Sequence, residues 1–539
     1  MALRSGTGGA LWVTGGLGAG TAYLLDGLPD KIRARGLQVW SGCGVADDGA
    51  VPYSLAAQLV AYTAGLPIAG RFSSLTGDAK SPEQAQEILQ RLEGFGVGSS
   101  ERAMAGYLSG LVDGVEQGAG FNSATAASLV EQLVRHNVAH APLVMLCDHA
   151  DQLDALSWEL LGRLAQLARE LPLLLCVTTT GDHDQGIASH TDPSGQPLFE
   201  RTSLGGSLHT VNVDTVWQNA PPLERQLMTA LALAQQPLPM QLLGDTVGAD
   251  SGGLEMGLAG LEGKQALRRM DGDRVMLSTP ELQSSLGTAI PKSDTPWVAA
   301  YAEHLLAKLN KAEPRFAHSA SSRWTPTRIR LLAWSGQRSG AAALALAYST
   351  VLHSGGWLQT AIDHCQQAAE LFQQAGLGSP QAYVDLGLSR AYLCLERLDT
   401  DGAERALSQL EYRAVDMADD KRLLQSQGAR AELAFYRDMA PEAFALATRV
   451  ASTASLMGEG ALLVQARLLL ARWQLRYGNL VPAQRHVESA LNLLHGRVRG
   501  ILPAQRGLAL ELMVSIFAQL GHIHQAASYQ SQLERWVRP

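Results

Sequence analysis

Over the first 210 residues, short apolar runs alternate with stretches whose apolar residues recur at helical spacing. LWVTG (11–15), LQVWSG (37–42), PLVMLCD (142–148) and PLLLCVTTT (172–180) are short and almost uniformly apolar, so they read as strands. SLHTVNV (207–213) reads as a fifth. TAASLVEQLVRH (125–136) and SWELLGRLAQLARE (157–170) carry the amphipathic helical pattern between them. Uniformly apolar strands alternating with helices predict a parallel sheet covered on both faces. The Gly- and Ser-rich residues 70–125 read as shorter helices and loops between the second and third strands.

The pattern changes near residue 215. ERQLMTALALA, MQLLGDTVG and GLEMGLAGLEGKQALRRM read as three helices, and DGDRVMLST as a hairpin with a DG turn. Three helices and a hairpin make a small winged-helix module. The stretch 312–328 has little periodicity and reads as a linker.

From residue 329 every pattern is helical and it repeats. HSGGWLQTA (353–361), RYGNLVPA (476–483) and AQLGHIHQA (518–526) align well. YRDMAPEA adds a copy ending at Ala443, and CLERLDTDGA (394–403) reads as a looser copy with two extra residues. The anchoring alanines, Ala361, Ala403, Ala443, Ala483 and Ala526, are spaced 42, 40, 40 and 43 apart. Each unit is a helix, a tight turn and a second helix, too small to bury its own apolar face, so the units are expected to stack into a tetratricopeptide-like solenoid.

Composition is consistent with this division. The 539 residues are 46% hydrophobic and 17% charged, which is globular and long enough for several cores. A net charge of −8 argues against a nucleic-acid-binding face spread over the whole chain. The five cysteines are far apart, with no CxxC spacing, which fits a reducing cytoplasm and neither a zinc site nor a disulfide framework. Six glycines and two threonines interrupt residues 8–21, so no secretory apolar region is expected, and no apolar run is long enough for a membrane helix.

The first strand runs into VTGGLGAGTAYLL (13–25), the layout of a phosphate-binding loop. This loop and the segments LQVWSGCGVADDGAVPYSLAAQLV, PLVMLCDHADQLDALSWELL and LRRMDGDRVMLSTPEL, followed by the repeats, resemble the AAA+-like P-loop ATPase module of the STAND signalling class. In the large LuxR-type and maltose-regulator-type proteins of that class, a P-loop domain, a winged helix and a tetratricopeptide solenoid occur in this order. The resemblance implies an α/β parallel-sheet domain over 1–214, a winged helix over 215–312, a linker over 313–328 and all-α repeats over 329–539.

A working site of this class cradles phosphates on backbone N–H groups, reaches them with lysine and holds Mg²⁺ with a hydroxyl. Here Gly15 and Gly20 take the glycine positions and Gly18 adds freedom, but Thr21 stands at the lysine position and Ala22 at the metal hydroxyl. Lys31, the nearest lysine, is ten residues on and expected to point away. Asp148 matches the first acid at the end of the third strand, whereas His149 replaces the second, which activates water in the family. Thr180 stands where many relatives carry arginine, and Thr279 where they carry the histidine that faces the nucleotide. Five contacts changed in four segments imply a degenerate site without ATP hydrolysis. For Gly15, Gly18, Gly20, Thr21, Ala22, Asp148 and His149 two readings stay open: residual weak ATP or ADP binding, or a turn that keeps only the shape. No catalytic residue and no metal site is assigned, since His140, His149 and His183 lack ligand spacing.

Tyr392, Trp473 and Phe517 lie on the first helices of their repeats and are candidates for lining a partner-binding face, against the alternative of packing within the array. The would-be recognition helix of the winged helix is apolar or acidic until its end, which disfavours DNA reading. The chain starts just before the first strand and ends just after a repeat, so no output module is expected. The resulting expectation is a cytoplasmic, non-catalytic scaffold, adaptor or regulatory subunit that binds protein partners through its repeats, as part of a larger assembly. The alternatives are a nucleotide-holding switch with little hydrolysis and a transcription regulator.

Overall fold

The computed structural model describes residues 8–15, 25, 28–44, 51–63, 95, 98–108, 123–180, 191, 196–204, 213–270, 273–278, 282, 286, 296–312, 320, 324–374, 380–408, 410–495 and 503–537. The chain divides into two compact units, Met1–Ser379 and Pro380–Pro539.

The first unit opens with β1 (Gly9–Gly15), α1 (Leu28–Arg33), β2 (Gln38–Cys43), α2 (Ser54–Thr63), α3 (Ser99–Leu108) and α4 (Ser123–His140). β3 (Leu143–Asp148), a 3₁₀ turn (Ala150–Gln152), α5 (Ala155–Ala168), β4 (Leu173–Thr180) and β5 (Glu200–Leu204) follow. The strands form one parallel sheet in the order β2-β3-β4-β1-β5. Four strands lie where the apolar runs predict them. The fifth described strand is ERTSL (200–204); of the predicted SLHTVNV, 207–212 lie outside the described residues and Val213 opens α6 (Val213–Asn219). Polar edge strands escape an apolar-run criterion, because an edge is covered on fewer sides. Val13, Val39, Val144, Leu146 and Cys176 form the core on one face, with Leu28 and Ile32 of α1 packed over it.

Asp154 holds two helix starts together. Its buried carboxylate caps α5 by accepting from the Leu156 and Ser157 N–H groups, and it also accepts from the Tyr53 and Ser54 N–H groups that lead into α2. Burial pushes this carboxyl up, and the hydrogen bonds from Ser157, Ser54 and Tyr53 pull against that.

Next come α7 (Pro222–Ala234), β6 (Leu238–Pro239), α8 (Met240–Val247), α9 (Ser251–Gly263), β7 (Leu267–Met270), β8 (Arg274–Leu277) and α10 (Pro296–Ala312). The third predicted helix stops at Gly263, and LRRM belongs to a strand, so the hairpin pairs β7 with β8, Asp271 and Gly272 lying outside the described residues. β6, too short to read from pattern, completes an antiparallel sheet of order β6-β8-β7.

The unit closes with α11 (Thr325–Trp334), α12 (Arg338–Ser354) and α13 (Leu358–Gln374). Thr325–Arg328, inside the predicted linker, are buried residues of α11. Arg330 donates to the Leu233 and Ala234 carbonyls at the end of α7 (2.8 and 2.9 Å) and to Gln235 (2.6 Å). A guanidinium on the last carbonyls of a helix satisfies acceptors that have no partner within it. Trp357, in the turn before α13, meets the Tyr53 ring edge-on at 6.3 Å. The first helices of the repeat region are therefore joined to both modules before them.

The second unit is wholly helical among the described residues: α14 (Pro380–Glu396), α15 (Thr400–Ser408), α16 (Leu410–Asp416), α17 (Asp420–Tyr436), α18 (Ala440–Met457), α19 (Gly460–Arg476), α20 (Leu480–His495), α21 (Pro503–Gln519) and α22 (Ile523–Val537). Consecutive helices pack as pairs, and the first helices α14, α17, α19 and α21 also pack on one another in turn. This is a tetratricopeptide-like solenoid.

Every anchoring alanine is the fourth residue of the second helix of its pair. Ala361, Ala403, Ala443 and Ala483 are fully buried, and Ala526, in the last helix, is half-buried. Five residues before each alanine the backbone is left-handed: Gly356, Leu398, Asp438, Gly478 and Gly521 have φ between 63° and 77°. The next N–H reaches back five residues in each turn, as from Asn479 to the Gln474 carbonyl (2.9 Å) and from Asp399 to Cys394 (2.8 Å). That bond terminates the first helix and aims the chain into the second. The Leu398 copy keeps the same offset, so the two extra residues expected from sequence are not there.

Candidate functional site

Parallel pairing aligns Gly15 with Thr180 and Cys43 with Asp148, which gathers the ends of β1, β4 and β3 at the carboxyl edge of the sheet. β1 lies between β4 and β5 while the chain leaves it toward β2, and open α/β sheets bind ligands at the carboxyl edge of such a switch in direction. Gly18, Gly20, Thr21, Ala22 and Thr279 lie outside the described residues, as does the side chain of Thr180. Lys31 is exposed on α1.

Asp148 is buried, with 5% of its side chain exposed. Its Oδ1 accepts from the Thr178 hydroxyl and from the His149 N–H (3.0 Å). Its Oδ2 accepts from Arg268 Nη1 on β7 (3.1 Å), and His149 Nε2 lies 3.8 Å from the same oxygen. Burial pushes the carboxyl up, but the neighbouring imidazole, the Arg268 guanidinium and the Thr178 hydroxyl outweigh it and hold Asp148 below the usual carboxylate range.

His149 has left-handed backbone (φ 49°) and is buried, and neither ring nitrogen has a hydrogen-bond partner. Gly44 permits this bend. Its N–H donates to the Asp148 carbonyl (2.8 Å), and a Cβ there would sit 2.1 Å from the His149 carbonyl oxygen. Cys147 and Cys176 are buried, and burial, with Asp148 close by, pushes the Cys176 thiol up to about 11, so both act as packing groups.

Thr178, Gly44 and Arg268 are not singled out by the sequence pattern. Read as the end of a helix, Arg268 and Arg269 would be neighbours on one surface. On a strand they point to opposite faces, so Arg268 reaches Asp148 while Arg269 pairs with Glu255 (2.8 Å) and Glu262 (2.5 Å). The DG pair in the sequence is the available signal: an antiparallel partner traced back from it covers LRRM.

These residues do not fit a divalent ion bound through Asp148. A guanidinium already holds Oδ2, and a hydroxyl and an amide hold Oδ1, so both carboxylate oxygens are engaged by donors of the chain itself. Among the described residues no group of three or more His, Cys, Asp or Glu could hold a metal ion.

The three repeat aromatics are engaged in packing. The Tyr392 hydroxyl donates to the Gln425 carbonyl (3.2 Å) and to Gln465 Oε1 (3.3 Å), which ties three successive first helices together. Burial pushes this phenol far up. Trp473 packs between Phe444 and Tyr477 (4.6 and 4.7 Å), and Phe517 stacks on Tyr529 (5.6 Å). Among the described residues no helix is long and apolar enough to cross a membrane.

No family model and no curated protein matches the chain. Several solved structures are similar to it. A STAND protein with a tetratricopeptide repeat sensor from Pyrococcus horikoshii is 12% identical, over 98% of this chain and 81% of that one, with a TM-score of 0.34. BtubC from P. vanneervenii is 13% identical, over 44% of this chain and 89% of that one, with a TM-score of 0.31. Aspartyl phosphate phosphatase F from Bacillus subtilis is 9% identical, over 62% of this chain and 96% of that one, with a TM-score of 0.32.

Proposed function

We propose that the protein is a non-catalytic scaffold or regulatory subunit: a P-loop-type sheet domain without ATPase activity, a winged helix and a tetratricopeptide-like solenoid that binds protein partners. The observation that carries this reading is the Asp148–Arg268 pair. In a phosphoryl-transfer site the acid at this position serves the metal ion. Here a cation from the chain's own β7 takes that place, and the ion pair ties the hairpin to the sheet. Thr21 and Ala22, at the lysine and hydroxyl positions, point the same way.

The solenoid supports the partner-binding part. At the turns between paired helices, Leu398, Met439, Tyr477, Val481 and Ile523 are all exposed, by 45–75%. Single exposed apolar residues are ordinary on a protein surface. Their recurrence in four successive pairs supports a contact surface along that edge, beside the exposed Val415, Leu456 and Met457 at the turns between pairs.

A second reading, a switch that holds a nucleotide without hydrolysing it, is favoured by the buried His149 imidazole with no hydrogen-bond partner. Thermal-shift titration with Mg²⁺ and ATP or ADP separates the two. The scaffold reading expects no saturable rise in melting temperature, whereas binding raises it by mass action.

A further inference from the structure

We propose that His136 and His140 form a surface site for an imidazole-preferring divalent ion such as Zn²⁺, at the end of the sheet domain opposite Asp148. The two residues are one helical turn apart in the last turns of α4, and β3 begins three residues after His140, so the site flanks the amino edge of the sheet. Their Nε2 atoms face one another at 3.3 Å. At the usual Zn–N distance of ~2.0–2.1 Å, an ion equidistant from two nitrogens 3.3 Å apart would see them at about 105–110°, the tetrahedral angle.

Two further features suit a cation. The pair lies at the carboxyl end of an 18-residue helix, where unpaired carbonyls give the negative end of the helix dipole. His136 is also held in place: the Phe95 ring meets it edge-on with centroids 4.2 Å apart, so one ligand is oriented before an ion arrives. Two imidazole nitrogens pointed at each other share at most one proton in a hydrogen bond. An ion satisfies both at once and leaves the remaining positions to water. The site is therefore half of a closed tetrahedral set, with an open side toward solvent.

The experiment is calorimetric titration of the full chain with ZnCl₂, beside His136→Ala, His140→Ala and a His522→Ala/His524→Ala control, each checked for unchanged helicity by circular dichroism. The expected result is one site per chain, lost in either single variant and retained in the control. Binding by either single variant equal to the wild type would overturn the proposal, as would absence of a saturable site in the wild type.

Discussion

Arg268 on β7, partly exposed, and the buried Asp148 at the end of β3, 120 residues apart in sequence, form an ion pair of 3.1 Å between the small antiparallel sheet and the parallel one. Removing one partner of such a pair strands the other charge in a poorly solvated place. Arg268→Met should therefore destabilise the first unit by about 3 kcal/mol. Adding Asp148→Asn should return part of that loss. Urea unfolding of the two single variants and the double variant gives the coupling directly.

Acid should act through two groups in separate windows. His364 of α13 is buried against Tyr348 and hydrogen-bonded to the Ala345 carbonyl (3.0 Å), and burial pushes it down to about 4. Its folded pKa is below its unfolded one, so the unfolded chain takes the proton first. The stability is fully present above about pH 6.5 and falls by about 3 kcal/mol as pH drops toward 4. His364→Gln should flatten that slope in a series of urea titrations. Asp148, also held below its unfolded value, should lose its contribution only at lower pH, as it protonates.

Leu398 places a branched side chain in a left-handed turn where three of the four sister turns use glycine. A β-carbon there costs about 1 kcal/mol. Leu398→Gly should raise the urea midpoint correspondingly, and Gly478→Ala should lower it by a similar amount. Unchanged midpoints in both would show that the turn does not carry this strain.

The anchoring alanines should differ by position. Ala483→Leu forces extra carbons into a closed cluster with Val487, Met513 and Ile516, and should cost about 1–3 kcal/mol. Ala526→Leu, half-buried in the last helix, should cost under about 1 kcal/mol. Thermal melts of the two variants compare them side by side.

Four strands of the sheet and the solenoid repeat were legible because burial on both faces and a recurring small residue leave strong marks in sequence. Glu200–Leu204 left none, since its residues are polar and sit at an edge. Leu398 hid the regularity of its repeat: the turn is defined by backbone angle, which glycine advertises and leucine does not. At the site, Asp148 could be placed from the strand that ends in it. Arg268 could not, because its role depends on a strand pairing that brings residues 120 apart together and on a boundary at Gly263 that helical pattern alone runs past.

The central claim is that Asp148 serves Arg268 and not a catalytic metal ion. Its most direct test is Mg²⁺-dependent ATP turnover by the purified full chain beside Asp148→Ala. The account predicts phosphate release at the level of a protein-free control for both proteins. Turnover by the wild type that requires Mg²⁺ and disappears in Asp148→Ala would contradict it.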